Sequence, residues 1–382
     1  MPHHIDIINP EKCCGCRACY SICPVSCISM QCDKKGFEYP KVDESICIQC
    51  GKCKKVCPFI NIFKPLKPIK CYATVNENME ERIKSSSGGI FIAMAKNIIK
   101  NDGIVVGAVF DENLNVVHKC ASTIEEVYPM MGSKYLQSSI QNVLKEVRTF
   151  LKLGKKVLFT GTQCQIAGLN HFLETNYPNL ITIEVICHGV PSPSVWNSYL
   201  LSLNLKEDRS KVKCYFRDKE SGWKSFSLKI LSDKIHFNES HKVNLYMRAF
   251  LSNYSLRPSC YNCKSKGGRS NADITIGDFW GIKEFYNNKE DDRGISAVII
   301  QSDKGNLFYT NIEGLLMEEV EYSEILSGNL SLESSVRAPK LINKFWDLYF
   351  SKGLNIAIKK VSTRPLYKRI GSKLKNILKL YF

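Results

Sequence analysis

The sequence predicts two unlike parts in one chain of 382 residues: a small cysteine-ruled α+β module, then a larger α/β domain. Three observations carry this reading. One cysteine spacing occurs twice within the first 58 residues. A proline- and lysine-rich stretch, FKPLKPIK at 63–70, then changes the character of the chain. Beyond it, apolar runs alternate with amphipathic ones in the strand–helix order of an α/β domain.

In the module, Cys13, Cys16, Cys19 and Cys23 follow C-x2-C-x2-C-x3-C with Pro24 next; Cys47, Cys50, Cys53 and Cys57 repeat it with Pro58 next. Every position recurs 34 residues later, which reads as an internal duplication. Three thiolates two residues apart line a tight loop and can grip three irons of one 4Fe–4S cubane, while the fourth, beyond the turn, reaches the neighbouring cubane. The spacing therefore assigns Cys13, Cys16, Cys19 and Cys57 to a first cluster, and Cys23, Cys47, Cys50 and Cys53 to a second. Proline closes each loop because it donates no backbone hydrogen bond. Zinc would ask for separated pairs of ligands instead. The module, about residues 1–64, resembles a bacterial-type dicluster ferredoxin. Cys14, Cys27 and Cys32 fall outside the ruler and read as packing or incidental thiols. The linker after it, stiffened by proline, is expected to act as a spacer.

In the larger part, SSSGGIFIAMAKNIIKNDGIVVGAVF (85–110) reads as a serine-capped helix, a turn at Asn101–Gly103 and an apolar strand. GKKVLFTGTQCQIAGLNHFLE (154–174) reads as strand, tight turn and helix; LITIEVICHGVPSPSVWNSYLLSL (180–203) reads as strand, loop and helix. In α/β domains ligands bind beyond the carboxyl ends of strands, where Cys164 and Cys187 fall. RPSCYNCKSK (257–266) adds the pair Cys260 and Cys263. Four thiolates suffice for a third cubane, but lone cysteines are more often small buried hydrophobes, and spacing leaves both readings open.

Seven blocks, SSSGGIF, GIVVGAVF, GSKYLQS, VLFTGTQCQIAGL, VICHGVPSPSVW, RPSCYNCKSK and ADITIGDFWGI, run in order from about residue 71 to about residue 300. Together they resemble the coenzyme F420 hydrogenase/dehydrogenase beta-subunit family. The resemblance implies FAD, 4Fe–4S clusters including a third one on Cys164, Cys187, Cys260 and Cys263, and electron passage between a one-electron chain and a two-electron organic acceptor. It implies a flavin- and iron–sulfur-binding α/β domain behind the ferredoxin-like one. The expected boundaries are 1–64 for the dicluster domain, 65–70 for the linker, 71–190 and 191–358 for the family's N- and C-terminal regions, and 359–382 for a basic tail. Diphosphate needs backbone amides from glycine-rich turns beside a helix start, a role for Ser86, Ser87, Gly88 and Gly89; on their own these residues read as an ordinary helix start. Gly132, Ser133, Lys134 and Tyr135 would add a cation and a ring, and Thr162 and Gln163 would reach the flavin. The family commonly has proline where Gln163 stands. His188 is a candidate proton carrier, or a loop histidine bonded to a backbone carbonyl. Arg217 and Lys219 beside Trp223 read as an anion site or a solvated strand end. Asp273 and Asp278 flank a predicted strand, and Phe279 and Trp280 read as cofactor-facing or core aromatics.

Bulk properties narrow the field. Hydrophobic residues make up 44% of the chain, as in a globular protein with a core. Eighteen cysteines bunched at short spacings, without a secretory signal, point to metal in a reducing compartment, and cytoplasm is the expected address. Half of the net charge of +16 sits in residues 359–382, which hold eight Lys and Arg and no acid. Elsewhere no basic stripe with interleaved aromatics occurs, so nucleic acid is not an expected partner. The tail PLYKRIGSKLKNILKLYF (365–382) has the composition of a basic amphipathic helix, suited to peripheral membrane contact or to docking on protein; Gly371 weakens it as a helix. The expected function is a flavin-dependent iron–sulfur oxidoreductase fed by ferredoxin or a partner subunit and acting on a small organic substrate. The alternatives are a non-catalytic iron–sulfur electron-transfer subunit and a zinc-bearing interaction module.

Overall fold

The computed structural model describes residues 4–5, 9–205, 209–282 and 291–362. The N-terminal module is small. Helices α1 (Ala18–Ile22) and α2 (Lys52–Lys55) follow the two cysteine loops, and β1 (Ile28–Cys32) pairs antiparallel with β2 (Glu38–Val42). Arg17 and Gly51, at matching places in the duplicated loops, both take left-handed backbone to start the helices.

The core is built on an eight-stranded sheet. Its strands are β3 (Lys70–Asn76), β4 (Ile104–Phe110), β5 (Val116–Ala121), β6 (Val157–Thr162), β7 (Leu180–Val185), and, after the three strands named below, β11 (Ile274–Asp278), β12 (Ser296–Ile300) and β13 (Leu315–Glu319). The order is β13-β3-β12-β11-β7-β6-β4-β5. The central strands β11, β7, β6 and β4 run parallel, flanked by antiparallel pairs. Strands from both sides of residue 190 are interleaved in it, so the two stretches of chain expected as separate regions share one sheet. A three-stranded antiparallel sheet, β8 (Lys213–Asp218), β9 (Ser227–Leu231) and β10 (His236–Ser240), stands beside it.

Alternation along the parallel strands sorts the core into two faces. Val105, Leu158 and Ile183 pack under helix α4 (Ile90–Lys100), whereas Val106, Val157 and Phe159 pack under α6 (Val143–Lys152) and α7 (Gln163–Leu173). Burying one such Leu, Ile or Phe contributes roughly 1.5–3 kcal/mol. The second face continues into the module: Cys14, Cys16, Ala18 and Val56 belong to the same apolar cluster as Ile166, Leu169 and Phe172 of α7. Short helices α3 (Met79–Lys84) and α5 (Ile124–Val127) edge the sheet. Helices α8 (Pro193–Ser202), α9 (Leu245–Leu251) and α12 (Ile342–Ser362) form an aromatic-rich third cluster with Trp196, Tyr246 and Phe345, while α10 (Asp303–Thr310) and α11 (Tyr322–Gly328) close the far edge.

Three expectations are corrected. The serines of SSSGG do not cap α4; its N-cap is Gly89, in left-handed backbone at φ +85°, because the serines are spent elsewhere. Cys164 lies not in a turn but in the first turn of α7, since Thr162 both ends β6 and caps the helix through a reciprocal pair with Gln165. The proline-rich stretch is not a free spacer. Phe63 stacks on His171 at 3.9 Å, Asn271 Nδ2 donates to the Lys64 carbonyl (3.2 Å), Leu66 N to the Gly268 carbonyl (3.1 Å) and Ile69 N to the Ile300 carbonyl (2.7 Å). It is a strap along the core. Among the described residues no helix is long and apolar enough to cross a membrane. The amphipathic stretch 365–382 lies outside the described residues.

Candidate iron–sulfur and cofactor sites

The duplicated loops bring their cysteines into two neighbouring groups, which the crossed assignment fits although Cys53 also acts electrostatically on Cys19 and Cys57. Cys19 lies within electrostatic reach of Cys13 and Cys57, as do Cys16 of Cys57 and Cys57 of Cys13. Burial pushes the Cys19 thiol well up from its ordinary value, an energetic cost that binding to iron offsets. The second group lines a partly open pocket whose wall includes Cys23, Cys47, Cys50 and Cys53. Cys27 is on that wall too, buried, with its Sγ 3.4 Å from Cys23 Sγ. Ile5 N donates to Cys53 Sγ (3.1 Å), the kind of hydrogen bond that tunes a thiolate ligand. Among the described residues no three His, Cys, Asp or Glu side chains close on a single ion. Thiolates of a cubane each take a different iron and stand further apart than the ligands of one zinc.

The core cysteines also converge. Cys164 acts electrostatically on Cys187, Cys260 and Cys263, which reach the same place from α7, the loop after β7 and the short helix Pro258–Asn262. Burial pushes the Cys187 thiol up to about 12 and the Cys263 thiol to about 11. Four thiols from three segments fit a cubane's donor set. Sequence reasoning missed a neighbour of theirs: Cys14 of the module packs in the same cluster as Cys164 and is the main influence holding the Cys164 thiol up. The module also rests directly on α7. A Cβ at Gly168 would stand 2.8 Å from both Cβ and Sγ of Cys16, so only glycine fits.

The flavin candidates fall into two places. Ser133 N donates to Ser86 Oγ (2.6 Å), which joins the SSSGG and GSKY loops. Arg217 bridges them, donating to Tyr135 OH (3.1 Å) and to the Ser86 carbonyl (3.3 Å). Its charge is already matched by Asp278, at 2.9 Å, which also accepts from Trp223 Nε1 (2.7 Å). Trp223 stacks on Trp280 at 4.5 Å, and Phe279 is wholly buried. Asp273 accepts from Thr182 and Ser302 inside the core. Lys219 donates to the carbonyls of Arg82, Ser87 and Arg293, and burial pulls its ammonium down to about 7. Among the described residues Lys134 donates only to the carbonyls of Met131 and Gly132; desolvation pulls it down to about 7. Gly132 faces open space, at φ +78°. A half-buried cation with no anion, beside an open glycine, fits a phosphate group. Gly88 and Gly89 are used differently: a Cβ on either would meet the chain's own backbone or side chains, around Thr74, Ser296, Asn76 and Arg82. Thr162 and Gln163 sit apart from this group, Thr162 Oγ1 3.3 Å from Cys164 Sγ and Gln163 near Leu332 and the buried Glu184. His188 pairs through Nε2 with Asn253 Oδ1 (2.6 Å), and burial lowers its pKa.

Comparison with known proteins finds matches in both parts of the chain. Residues 12–61 match the 4Fe-4S dicluster domain, and residues 154–324 match the C terminus of the coenzyme F420 hydrogenase/dehydrogenase beta subunit. Over these spans the chain is similar to the C terminus of the coenzyme F420 hydrogenase/dehydrogenase beta subunit, with a dicluster iron–sulfur domain in front. Cys164, Cys187, Cys260, Cys263, Thr162, Gln163 and His188 lie inside the family's matched span; Ser86–Gly89 and Gly132–Tyr135 lie before it. Among relatives, the F subunit of the F420H2 dehydrogenase of Methanosarcina mazei is 22% identical over 201 residues, 49% of this chain and 56% of that protein. An uncharacterized protein of Methanocaldococcus jannaschii is 26% identical over 208 residues, 45% of this chain and 55% of that one. The chain thus spans about half the length of these relatives. A chain of the F420-reducing NiFe hydrogenase complex of Methanosarcina barkeri overlays with a TM-score of 0.47 at 17% identity, covering 72% of this chain and 97% of that one.

Proposed function

We propose that this protein is a flavin-dependent iron–sulfur oxidoreductase. It takes electrons from ferredoxin or a partner subunit and delivers them to a small two-electron organic acceptor, coenzyme F420 or a molecule like it. The observation that carries the reading is the packing of Cys14 in the same cluster as Cys164, which brings the first cluster's loop against the four core cysteines. An iron–sulfur module built only to dock would not need a third set of thiolates at its back. The name of the Methanosarcina mazei relative, which belongs to an F420H2 dehydrogenase, supports the acceptor.

In this reading Cys164, Cys187, Cys260 and Cys263 hold a third cubane. FAD, when bound, would exchange single electrons for pairs. Lys134 and the Gly132 amide would hold its phosphates, Tyr135 and Arg217 would wall the site, and Ser86–Gly89 would shape it from the other loop. Thr162 and Gln163 serve the cluster side. His188, kept neutral by burial, is the group able to accept a proton.

A second reading, an electron-transfer subunit without flavin, has one observation in its favour. The SSSGG loop is filled by the chain's own groups: Ser86 by Ser133 and Arg217, Ser87 by Lys219 and the Ile295 carbonyl, and Gly88 N by Ser296 Oγ (3.0 Å). Iron and flavin per chain, measured on protein purified without air, decide. About 12 irons and one FAD are expected. About eight irons and no flavin, even after reconstitution, would leave the electron-transfer subunit.

A further inference from the structure

Arg257 belongs to none of the ligand sets, yet it is 0% exposed. It stands just before the short helix that holds Cys260 and reaches into the module. Its Nε donates to the Cys13 carbonyl (2.6 Å), Nη1 to Gln137 Oε1 (2.9 Å), and Nη2 to the Glu38 carbonyl (2.7 Å) and to Cys13 Sγ (3.5 Å). Tyr39 and Phe37 lie 4.5 and 5.3 Å from the guanidinium. Gly15, in the cysteine loop, is held at φ +71°, and a Cβ there would stand 2.8 Å from Nη1. The loop is therefore shaped to admit this side chain.

Those partners are carbonyls, an amide, two rings and a thiol. The nearest carboxylate, that of Glu38, is given to Arg17. A fully buried guanidinium without an anion is costly. The groups that favour its charge are Cys13, Cys14 and Cys260, with Tyr39. Four thiolates around a cubane outweigh the positive charge of its iron–sulfide core, so a loaded cluster supplies the counter-charge that the described residues do not.

We infer that Arg257 is the electrostatic link between the first iron–sulfur site and the third, balanced by their clusters and raising the reduction potential of the first. The inference rests on the cysteine groups being cubane ligands. Reduction adds negative charge to an already anionic group. A buried cation beside it, and a hydrogen bond to a ligand sulfur, both favour the reduced form. The exposed Lys52 on the rim of the second site is screened by water and does this far less. Arg257 is a positioning residue and takes no part in bond chemistry.

The test is a redox titration followed by electron paramagnetic resonance, with iron per chain measured alongside. It compares the wild type with Arg257→Gln and Arg257→Lys, and the two N-terminal signals are assigned in a Cys50→Ser background. The expected result is unchanged iron, a lower potential for the first cluster in Arg257→Gln, an intermediate one in Arg257→Lys, and an unmoved second cluster. Equal potentials in all three proteins, or equal shifts in both clusters, would overturn the inference. Should Arg257→Gln lose iron, Arg257→Lys alone decides: a first cluster at the wild-type potential overturns the link, and a lowered one supports it. A wild type with fewer than about eight irons would instead remove the cluster reading itself.

Discussion

The first and second cluster sites carry one ligand spacing and have different walls. The first is closed by the core: Cys16 is buried, Gly168 of α7 lies against it, and Arg257 reaches its loop from behind. The second is closed by the module alone. Its pocket is partly open, Cys50 is exposed, and Ile48 on its rim keeps 60% of its surface in water. Duplication supplied both with one cysteine spacing; the neighbours distinguish them. Water access and nearby charge set a cluster's potential, so two copies of one loop acquire different tasks. The open site suits electron exchange with an outside partner, and the walled site suits transfer inward.

The comparison breaks most sharply at Gly168. Gly168→Leu should push α7 off the Cys16 loop and cost the first cluster, about four irons per chain, while the second stays. Iron analysis with paramagnetic resonance checks this; loss of both clusters together would show that the wall is not what separates them.

Acid should sharpen it next. His118 is buried between Ser138 Oγ (2.6 Å) and the Thr160 carbonyl (3.0 Å), and Gln165 of α7 donates to the Ser138 carbonyl (3.3 Å). Burial lowers its pKa from 6.5 to about 4. The folded pKa lies below the unfolded one, so the folded state excludes the proton. The contribution is fully present above pH 6.5 and is lost as pH falls through about 4. The loss amounts to about 3 kcal/mol. Denaturant midpoints between pH 7 and 4 should fall, and His118→Gln should flatten the fall. The first cluster, which leans on α7, should follow the core in this window.

The smallest effect concerns Cys27. It touches Cys23 without belonging to the ruler. Cys27→Ala should keep about eight irons in the two N-terminal sites and cost about 1 kcal/mol of packing. Iron counts against Cys23→Ala locate the ligand.

The two sites also differ in how far the sequence discloses them. The two groups of cysteines could be proposed from the sequence because cubane chemistry imposes a local spacing, and Cys13 through Cys23 are ten residues apart at most. The strand–helix order was legible from period and from the turn at Asn101–Gly103, which the structure places between α4 and β4. The walls were not legible. Arg257 sits inside the block RPSCYNC, but its partners Cys13, Glu38 and Gln137 are 120 residues or more away. The same holds for Gly168 and Cys16. In SSSGG the serines looked like caps because local rules favour them there; distant groups, Ser133 and the Ile295 carbonyl, won them instead. The prolines of 63–70 announced stiffness correctly, but not that Gly268 and Ile300 would hold the segment down.

That strap has a mechanical consequence. Multidomain redox proteins often move electrons by swinging a tethered domain between two docking stations, and then turnover slows as the medium thickens. Here the tether is fastened along its length, by Phe63 on His171 and by hydrogen bonds at Lys64, Leu66 and Ile69. The module has no free arm to swing. Internal transfer then proceeds across one fixed gap, as a solid junction does, at a pace that glycerol or sucrose in the buffer leaves unchanged.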